Sequence, residues 1–238
     1  MIQFNEYLIG EDDKPVENLT ERHQLVLIIL DLSNSMAPYQ QELERALRTL
    51  VEDLKGDAAT RGSVEICVVG VGGEPRILIP FGPLYTTQLP VVQVGGGTPL
   101  YGGIEMGYQA LMSRYATLKK LEVPMWASFC FILSDGKPTD NINEGTKSFV
   151  AQQRADHAKV ICYPIGIGPE AQNKRLAALN TDGKVYHSGK YESLAEFFRF
   201  ISASASAVGN SHPGVPTMLP TPERFGFQQV SYSTLIDD

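Results

Sequence analysis

The sequence lacks the features that mark several broad classes of protein. Its 238 residues contain no apolar run of about 18 residues, so no segment is predicted to span a membrane. The net charge is −7 and lysine and arginine form no cluster, which argues against a nucleic-acid or anionic-membrane surface. No charged segment followed by an apolar one opens the chain. We therefore expect a cytoplasmic protein.

Cysteine is also scarce. Cys67, Cys130 and Cys162 each lie within an apolar segment, and none has a second cysteine or a histidine at the spacing of zinc ligands. An odd number of cysteines in apolar surroundings favours reduced thiols in a core over a disulfide framework.

Apolar segments typical of buried strands alternate with segments of helical periodicity. The segment "QLVLIILDL" is too short for a membrane helix and is rich in Leu, Ile and Val. The next segment has leucines at positions 43, 47, 50 and 54, which is the spacing of one helix face. This alternation continues to about residue 205. It predicts an α/β fold with a doubly wound, mostly parallel central sheet and helices on both faces.

The ends of the chain differ in composition from this alternating region. We predict one domain over residues 23–207. Residues 1–22 form a polar, acidic N-terminal extension, in which "IQFNEYLI" is a candidate edge strand. Residues 208–238 are rich in Pro, Ser, Gly and Thr, and are predicted to be a tail or a wrapping segment without a core of its own.

Oxygen-bearing side chains follow two of the predicted strands. Asp31, Ser33 and Ser35 come directly after the first strand, and Asp135 follows a later one. Thr98 lies between them in the glycine-rich segment "VGGGTPLYGG". Ligands bind at the carboxyl ends of strands in open parallel sheets, so we expect these loops to converge on one edge.

The chemistry of these side chains indicates a metal ion. They offer carboxylate and hydroxyl oxygens, which suit Mg²⁺, and alternatively Mn²⁺ or Ca²⁺. An extended loop places Asp31, Ser33 and Ser35 on the same side. A second interpretation is that the serines cap the following helix and that Asp31 is a turn residue.

Three residues in or next to these loops are assigned structural roles. With Pro99 in the first turn of the next helix, Thr98 is predicted to be its N-cap. Ser134 is expected to support Asp135. Asp140 is expected to be an N-cap or turn residue of the helix that follows it.

These motifs resemble those of a known family. "DLSNSM" resembles the Asp-x-Ser-x-Ser motif of von Willebrand factor A domains, "GGGTPL" the family's threonine loop and "LSDGKPTD" its aspartate-bearing third loop. Together they resemble a metal-ion-dependent adhesion site. Within the family, the sequence is most similar to small bacterial single-domain proteins of the tellurium-resistance TerY type.

The resemblance implies a Rossmann-like fold and a set of roles for these residues. Ser33 and Ser35 would bind the ion through their hydroxyls, and Thr98 would bind it directly or through water. Asp31 and Asp135 would hold coordinating waters or bind directly. An acidic residue of a partner protein would take the open position. TerY-type relatives further imply an adaptor for a protein kinase or a protein phosphatase in bacterial stress or defence.

An enzyme is the alternative function. An aspartate after the first strand of an α/β sheet also begins the haloacid-dehalogenase type of phosphatase, so Asp31 could serve a metal-dependent phosphohydrolase or phosphotransferase. That chemistry needs a second acid two residues later, and this position is Ser33. The sequence therefore favours a non-catalytic interaction module, with no catalytic residues.

Overall fold

The computed structural model describes residues 15–135, 137–153, 160–169, 171–190, 193–211 and 217–232. Seven strands and five α-helices alternate over most of this region. The strands are β1 (Gln24–Asp31), β2 (Val64–Gly72), β3 (Glu74–Ile79), β4 (Ser128–Ser134), β5 (Val160–Ile167), β6 (Lys184–Ser188) and β7 (Gln228–Ser231). The helices are α1 (Gln40–Gly56), α2 (Leu100–Lys120), α3 (Glu144–Gln153), α4 (Asn173–Ala177) and α5 (Leu194–Gly209).

The strands form one sheet in the order β3-β2-β1-β4-β5-β6-β7. Strands β2, β1, β4, β5 and β6 are parallel to one another, while the edge strands β3 and β7 are antiparallel to β2 and β6, respectively. This confirms the predicted doubly wound α/β fold. After β1 the chain continues to one side of the sheet, and after α2 it returns to the other. The switch point therefore lies between β1 and β4, which is where ligands bind in such sheets.

The core has two layers because the residues of β1 point alternately to the two faces of the sheet. Val26, Ile28 and Leu30 pack with the layer that contains α1 and α5. Leu25, Leu27 and Ile29 pack with the layer that contains α2. All eight residues of β1 are buried, which explains why this strand reads as a continuous apolar run.

Helix α2 lies unusually close to the sheet. A Cβ atom at Gly103 would lie 2.1 Å from a side-chain carbon of Val71, and one at Gly107 would lie 2.8 Å from a side-chain carbon of Ile29. The absence of a side chain at these two positions lets the helix backbone approach the strands. The start of α2, just after Thr98, is thereby held near the carboxyl end of β1.

The last described segment belongs to the same sheet. Strand β7 pairs antiparallel with β6, and Phe227, directly before it, is fully buried. The sequence did not predict this strand, because its four residues carry no clear alternation. The domain boundaries at residues 22 and 207 remain a prediction, and the candidate edge strand "IQFNEYLI" lies outside the described residues.

The three cysteines are free and buried, in agreement with their apolar surroundings in the sequence. Burial raises the pKa of the Cys67 thiol to about 12, which keeps it protonated at neutral pH. None of the described helices is both long enough and apolar enough to cross a membrane.

A buried ion pair fixes the segment before β1. Arg114 on α2 donates to both carboxylate oxygens of Glu65 on β2, at 2.7 and 2.8 Å, and also to the carbonyl of Pro15 at 3.0 Å. His23 Nδ1 lies 3.8 Å from the same carboxylate. Burial alone would raise the pKa of Glu65, but these two partners lower it below its usual value.

Arg114→Ala leaves the Glu65 carboxylate buried without this partner. We expect the free energy of unfolding at neutral pH to fall by about 3–5 kcal/mol. Because the folded-state pKa of Glu65 is lowered, the pair stabilises fully above its unfolded value of 4.5 and is lost as the pH falls through the folded value. The difference in the free energy of unfolding between Arg114→Ala and the wild type should therefore be smaller in acid than at neutral pH. Urea unfolding at an acidic and at a neutral pH measures it.

Arg48→Ala on α1 is the control, because Arg48 is exposed. It should change the free energy of unfolding by no more than about 0.5 kcal/mol. Equal effects of the two substitutions would refute the role assigned to the buried pair.

Candidate functional site

The predicted site residues lie together at the carboxyl edge of the sheet, at its switch point. Leu30 of β1 is in register with Leu133 of β4, so Asp31 and Ser134 end neighbouring strands. Asp135 follows immediately. The glycine-rich loop before α2 reaches the same edge and carries Thr98. Three loops that are far apart in the sequence thus meet at one place.

Asp31 is held rigidly from two directions. It is 0% exposed, and its Oδ1 accepts a hydrogen bond from the backbone N–H of Ser33 at 2.9 Å. Its Oδ2 accepts one from the hydroxyl of Ser134 at 2.6 Å. Ser134 therefore supports Asp31 across the two strands, which the sequence did not predict. The reason is the parallel register, which places Ser134 beside the end of β1. That Ser134 also supports Asp135 stays a prediction.

The electrostatics of Asp31 favour a nearby positive charge. Burial raises its pKa, hydrogen bonds from Ser134 and Ser33 partly oppose this rise, and the charge of Asp135 adds to it. Asp135 is itself only 4% exposed. Two acidic side chains in a water-poor pocket repel each other, and a bound cation would remove this cost.

The two serines place their hydroxyl oxygens side by side. Ser33 Oγ lies 3.0 Å from Ser35 Oγ, with Ser33 buried and Ser35 exposed. Ser33 occupies the cap position of the short 3-10 helix Asn34–Tyr39, yet its side chain makes no capping hydrogen bond. The helix-cap interpretation is thus not supported at Ser33. The two hydroxyl oxygens lie next to each other, one on a buried residue and one on an exposed residue.

The glycine-rich loop is hydrogen-bonded to the serine loop. Asn34 donates its backbone N–H to the carbonyl of Gly96, and Asn34 Oδ1 accepts from the N–H of Gly96, both at 3.1 Å. Gly96 has a φ of +75°, and a Cβ there would lie 2.6 Å from backbone atoms of Gly73. Only glycine fits this turn without strain. The turn brings Thr98, which is 4% exposed, to the site.

The loop after β4 carries Asp135 and is hydrogen-bonded to Thr98 in the glycine-rich loop. Asp135 Oδ1 accepts from the N–H of Lys137 at 3.1 Å, and its carbonyl accepts from the N–H of Gln172 at 2.7 Å. The N–H of Thr139 donates to the carbonyl of Thr98 at 2.8 Å. The backbone thus fixes Thr98 and Asp135 relative to each other.

Two capping predictions are wrong. The first is Thr98 as the N-cap of α2. The helix begins at Leu100, so Pro99 occupies the cap position, and Pro99 makes no side-chain capping bond.

The second is Asp140 as the N-cap of the helix that follows it. Asp140 instead accepts hydrogen bonds from the N–H groups of Tyr101 and Gly102 in the first turn of α2. Asp140 therefore caps α2, which precedes it, while Asn143 Oδ1 accepts from Thr146 at the start of α3. No local sequence signal links Asp140 to a helix nearly 40 residues earlier.

The donor set is rich in hydroxyl groups. In the part of the chain that the structure describes, no group of three or more His, Cys, Asp or Glu side chains could hold a metal ion. A cation at this edge would therefore need the oxygens of Ser33, Ser35 and Thr98 in addition to the two aspartates. Such oxygen ligands suit hard divalent cations.

The fold and this loop cluster define a doubly wound α/β domain with an oxygen-rich site at its switch point. The family model of the von Willebrand factor type A domain matches residues 26–200, and the chain belongs to this family. A search of curated proteins finds no match.

Solved structures show the same fold at low sequence identity. A von Willebrand factor type A protein from Catenulispora acidiphila is 17% identical, with a TM-score of 0.60 over 78% of this chain. The pilus adhesin SpaC from Lactobacillus rhamnosus GG, in its open conformation, is 10% identical, with a TM-score of 0.61 over 82%. Proximal thread matrix protein 1 from the mussel byssus, with a zinc-occupied MIDAS motif, is 14% identical, with a TM-score of 0.55 over 77%. The chain spans 43%, 31% and 48% of these proteins, respectively.

Ser134→Ala tests the support of Asp31. It removes a hydrogen-bond donor from a fully buried carboxylate, so we expect the free energy of unfolding in metal-free buffer to fall by about 1–3 kcal/mol. Ser35→Ala, at an exposed hydroxyl, should change it by no more than about 0.5 kcal/mol. Urea unfolding measures both. A Ser134→Ala protein as stable as Ser35→Ala would show that this bond does not hold Asp31.

Proposed function

We propose that this chain is a non-catalytic interaction module that binds another protein through a divalent metal ion. The observation that carries the proposal is the convergence of Asp31, Ser33, Ser35, Thr98 and Asp135 from three loops at one edge of the sheet. The family supports it, because von Willebrand factor type A domains commonly serve as metal-dependent adhesion modules.

The residues present fit Mg²⁺. Their side chains offer hydroxyl and carboxylate oxygens, which are the ligands that this hard cation prefers. The hydroxyl oxygens of Ser33 and Ser35 lie 3.0 Å apart, near enough to serve one ion. We therefore propose Mg²⁺ as the ion, with Mn²⁺ or Ca²⁺ as alternatives.

The five side chains would divide the work of binding. Ser33 and Ser35 would be direct ligands, and Thr98 would bind directly or through water. Asp31 already uses both oxygens in hydrogen bonds, so with Asp135 it would balance the charge of the ion and hold its waters. A site with mainly neutral direct ligands leaves the ion with excess positive charge. This charge would attract an Asp or Glu of the partner, which is the recognition chemistry we propose.

The geometry of Asp31 speaks against the phosphohydrolase or phosphotransferase alternative. A nucleophilic carboxylate must reach its substrate, but Asp31 is 0% exposed and is bonded at both oxygens. The position two residues later, where the general acid would stand, is Ser33. We assign no catalytic residue.

The wider role follows from the resemblance to TerY-type proteins alone. On that basis we propose a cytoplasmic adaptor whose partner is a protein kinase or a protein phosphatase in a bacterial stress or defence system, including tellurium resistance. Neither nucleic acid nor a membrane is proposed as a partner, since the chain is acidic and has no basic cluster.

Partner capture tests the proposed function. The immobilised chain is incubated with native extract in Mg²⁺ or in EDTA, and retained proteins are identified by mass spectrometry. We expect at least one protein to be retained in Mg²⁺ only. A variant carrying both Ser33→Ala and Ser35→Ala should lose it, because two ligands of the ion are gone.

Ser113→Ala is the matched control, since this serine is exposed on α2 outside the three loops. It should retain the partner as the wild type does. If the partner is retained equally in Mg²⁺ and in EDTA, and equally by all variants, the carboxyl edge of the sheet is not the binding surface.

A further inference from the structure

The cap of α2 comes from the loop that carries Asp135. The first N–H groups of a helix have no partner within it. In α2 the residue in the cap position, Pro99, makes no side-chain capping bond. Asp140 takes its place: its Oδ1 accepts from the N–H of Tyr101 at 3.3 Å and its Oδ2 from the N–H of Gly102 at 2.7 Å. Both oxygens of one carboxylate thus serve the first turn after Thr98.

Thr139 makes two further contacts, with Thr98 itself and with Gly97 before it. The N–H of Thr139 donates to the carbonyl of Thr98 at 2.8 Å. The Thr139 side chain also covers Gly97, where an added Cβ would lie 2.9 Å from it. Residues 139 and 140 therefore hold the chain both before and after Thr98, and we call this pair of contacts the loop clamp.

We propose that Asp140 is a positioning residue of the metal site, which sets the distance between Thr98 and Asp135 through the loop clamp. This inference rests on the proposed function, in which both residues serve one ion. Asp140 acts without touching the ion. Its charge also offsets the positive end of the α2 dipole, which would otherwise face a site for cations.

The first measurement is the affinity of the full chain for Mn²⁺ by isothermal titration calorimetry. Residues that orient metal ligands typically contribute about 10–100-fold to affinity. We expect Asp140→Ala to weaken Mn²⁺ binding by about 10-fold or more. Asp140→Asn retains one acceptor oxygen and should give a smaller loss, which keeps the test valid if the alanine variant folds poorly.

The second measurement is hydrogen exchange over residues 95–103 in EDTA, which reports on the clamp without metal. Exchange there should be faster in Asp140→Ala. The control is Asp57→Ala, since Asp57 also accepts two hydrogen bonds, from the N–H of Ala59 at 2.9 Å and from the hydroxyl of Ser206 at 2.6 Å. Asp57 follows the end of α1, at the opposite edge of the sheet, so both readouts should match the wild type.

The outcomes separate this inference from the proposed function. Wild-type Mn²⁺ affinity in Asp140→Ala would overturn the positioning role while leaving the metal site intact. An equal loss in Asp57→Ala would also overturn it, because general loosening would then explain the effect. If the wild type itself binds no Mn²⁺, Mg²⁺ or Ca²⁺, the proposed function fails, and faster exchange in Asp140→Ala would identify only a helix cap.

Discussion

The burial of Asp31 beside Asp135 is the constraint on which the site depends. Strands β1 and β4 are parallel and adjacent. Asp31 is the last residue of β1 and Asp135 directly follows β4, so both lie at the same edge of the sheet. Burial raises the pKa of Asp31, and hydrogen bonds from Ser33 and Ser134 oppose this rise only in part. A positive charge at this edge would complete the compensation.

Hydrogen bonds join the three loops around these two aspartates. Asn34 and Gly96 join the first loop to the second, and Thr139 joins the third loop to Thr98. These are mainly backbone hydrogen bonds, and they do not involve the hydroxyls of Ser33 and Ser35, which contact each other. The rigid frame comes from the buried strands and from the close approach of α2 through Gly103 and Gly107. Precise placement of weak neutral ligands requires such a frame.

Much of the fold could be predicted from the sequence because its signals are local. The buried run of β1, the leucine spacing of α1 and the alternation of strands and helices each arise within one segment. Convergence of the three loops also followed, since it needs only the parallel order of the strands. The short strand β7 was missed because an antiparallel edge strand of four residues carries almost no periodicity.

The contacts at the site that the sequence did not predict have a common physical cause. Ser134 donates to Asp31, and Asp140 caps α2 while Asn143 accepts at the start of α3. Each depends on which residues of different loops face each other, and this is set by strand register and helix placement. Side-chain contacts between residues that are 39 or 103 positions apart leave no trace in local spacing.

The position of manganese in crystals of the full chain grown with Mn²⁺, located by anomalous scattering, would show whether the three loops bind a divalent ion. We expect one strong peak at the carboxyl edge, within about 2.5 Å of the hydroxyl oxygens of both Ser33 and Ser35. The absence of a peak at this edge, or a peak bound only by residues outside the three loops, would contradict this expectation.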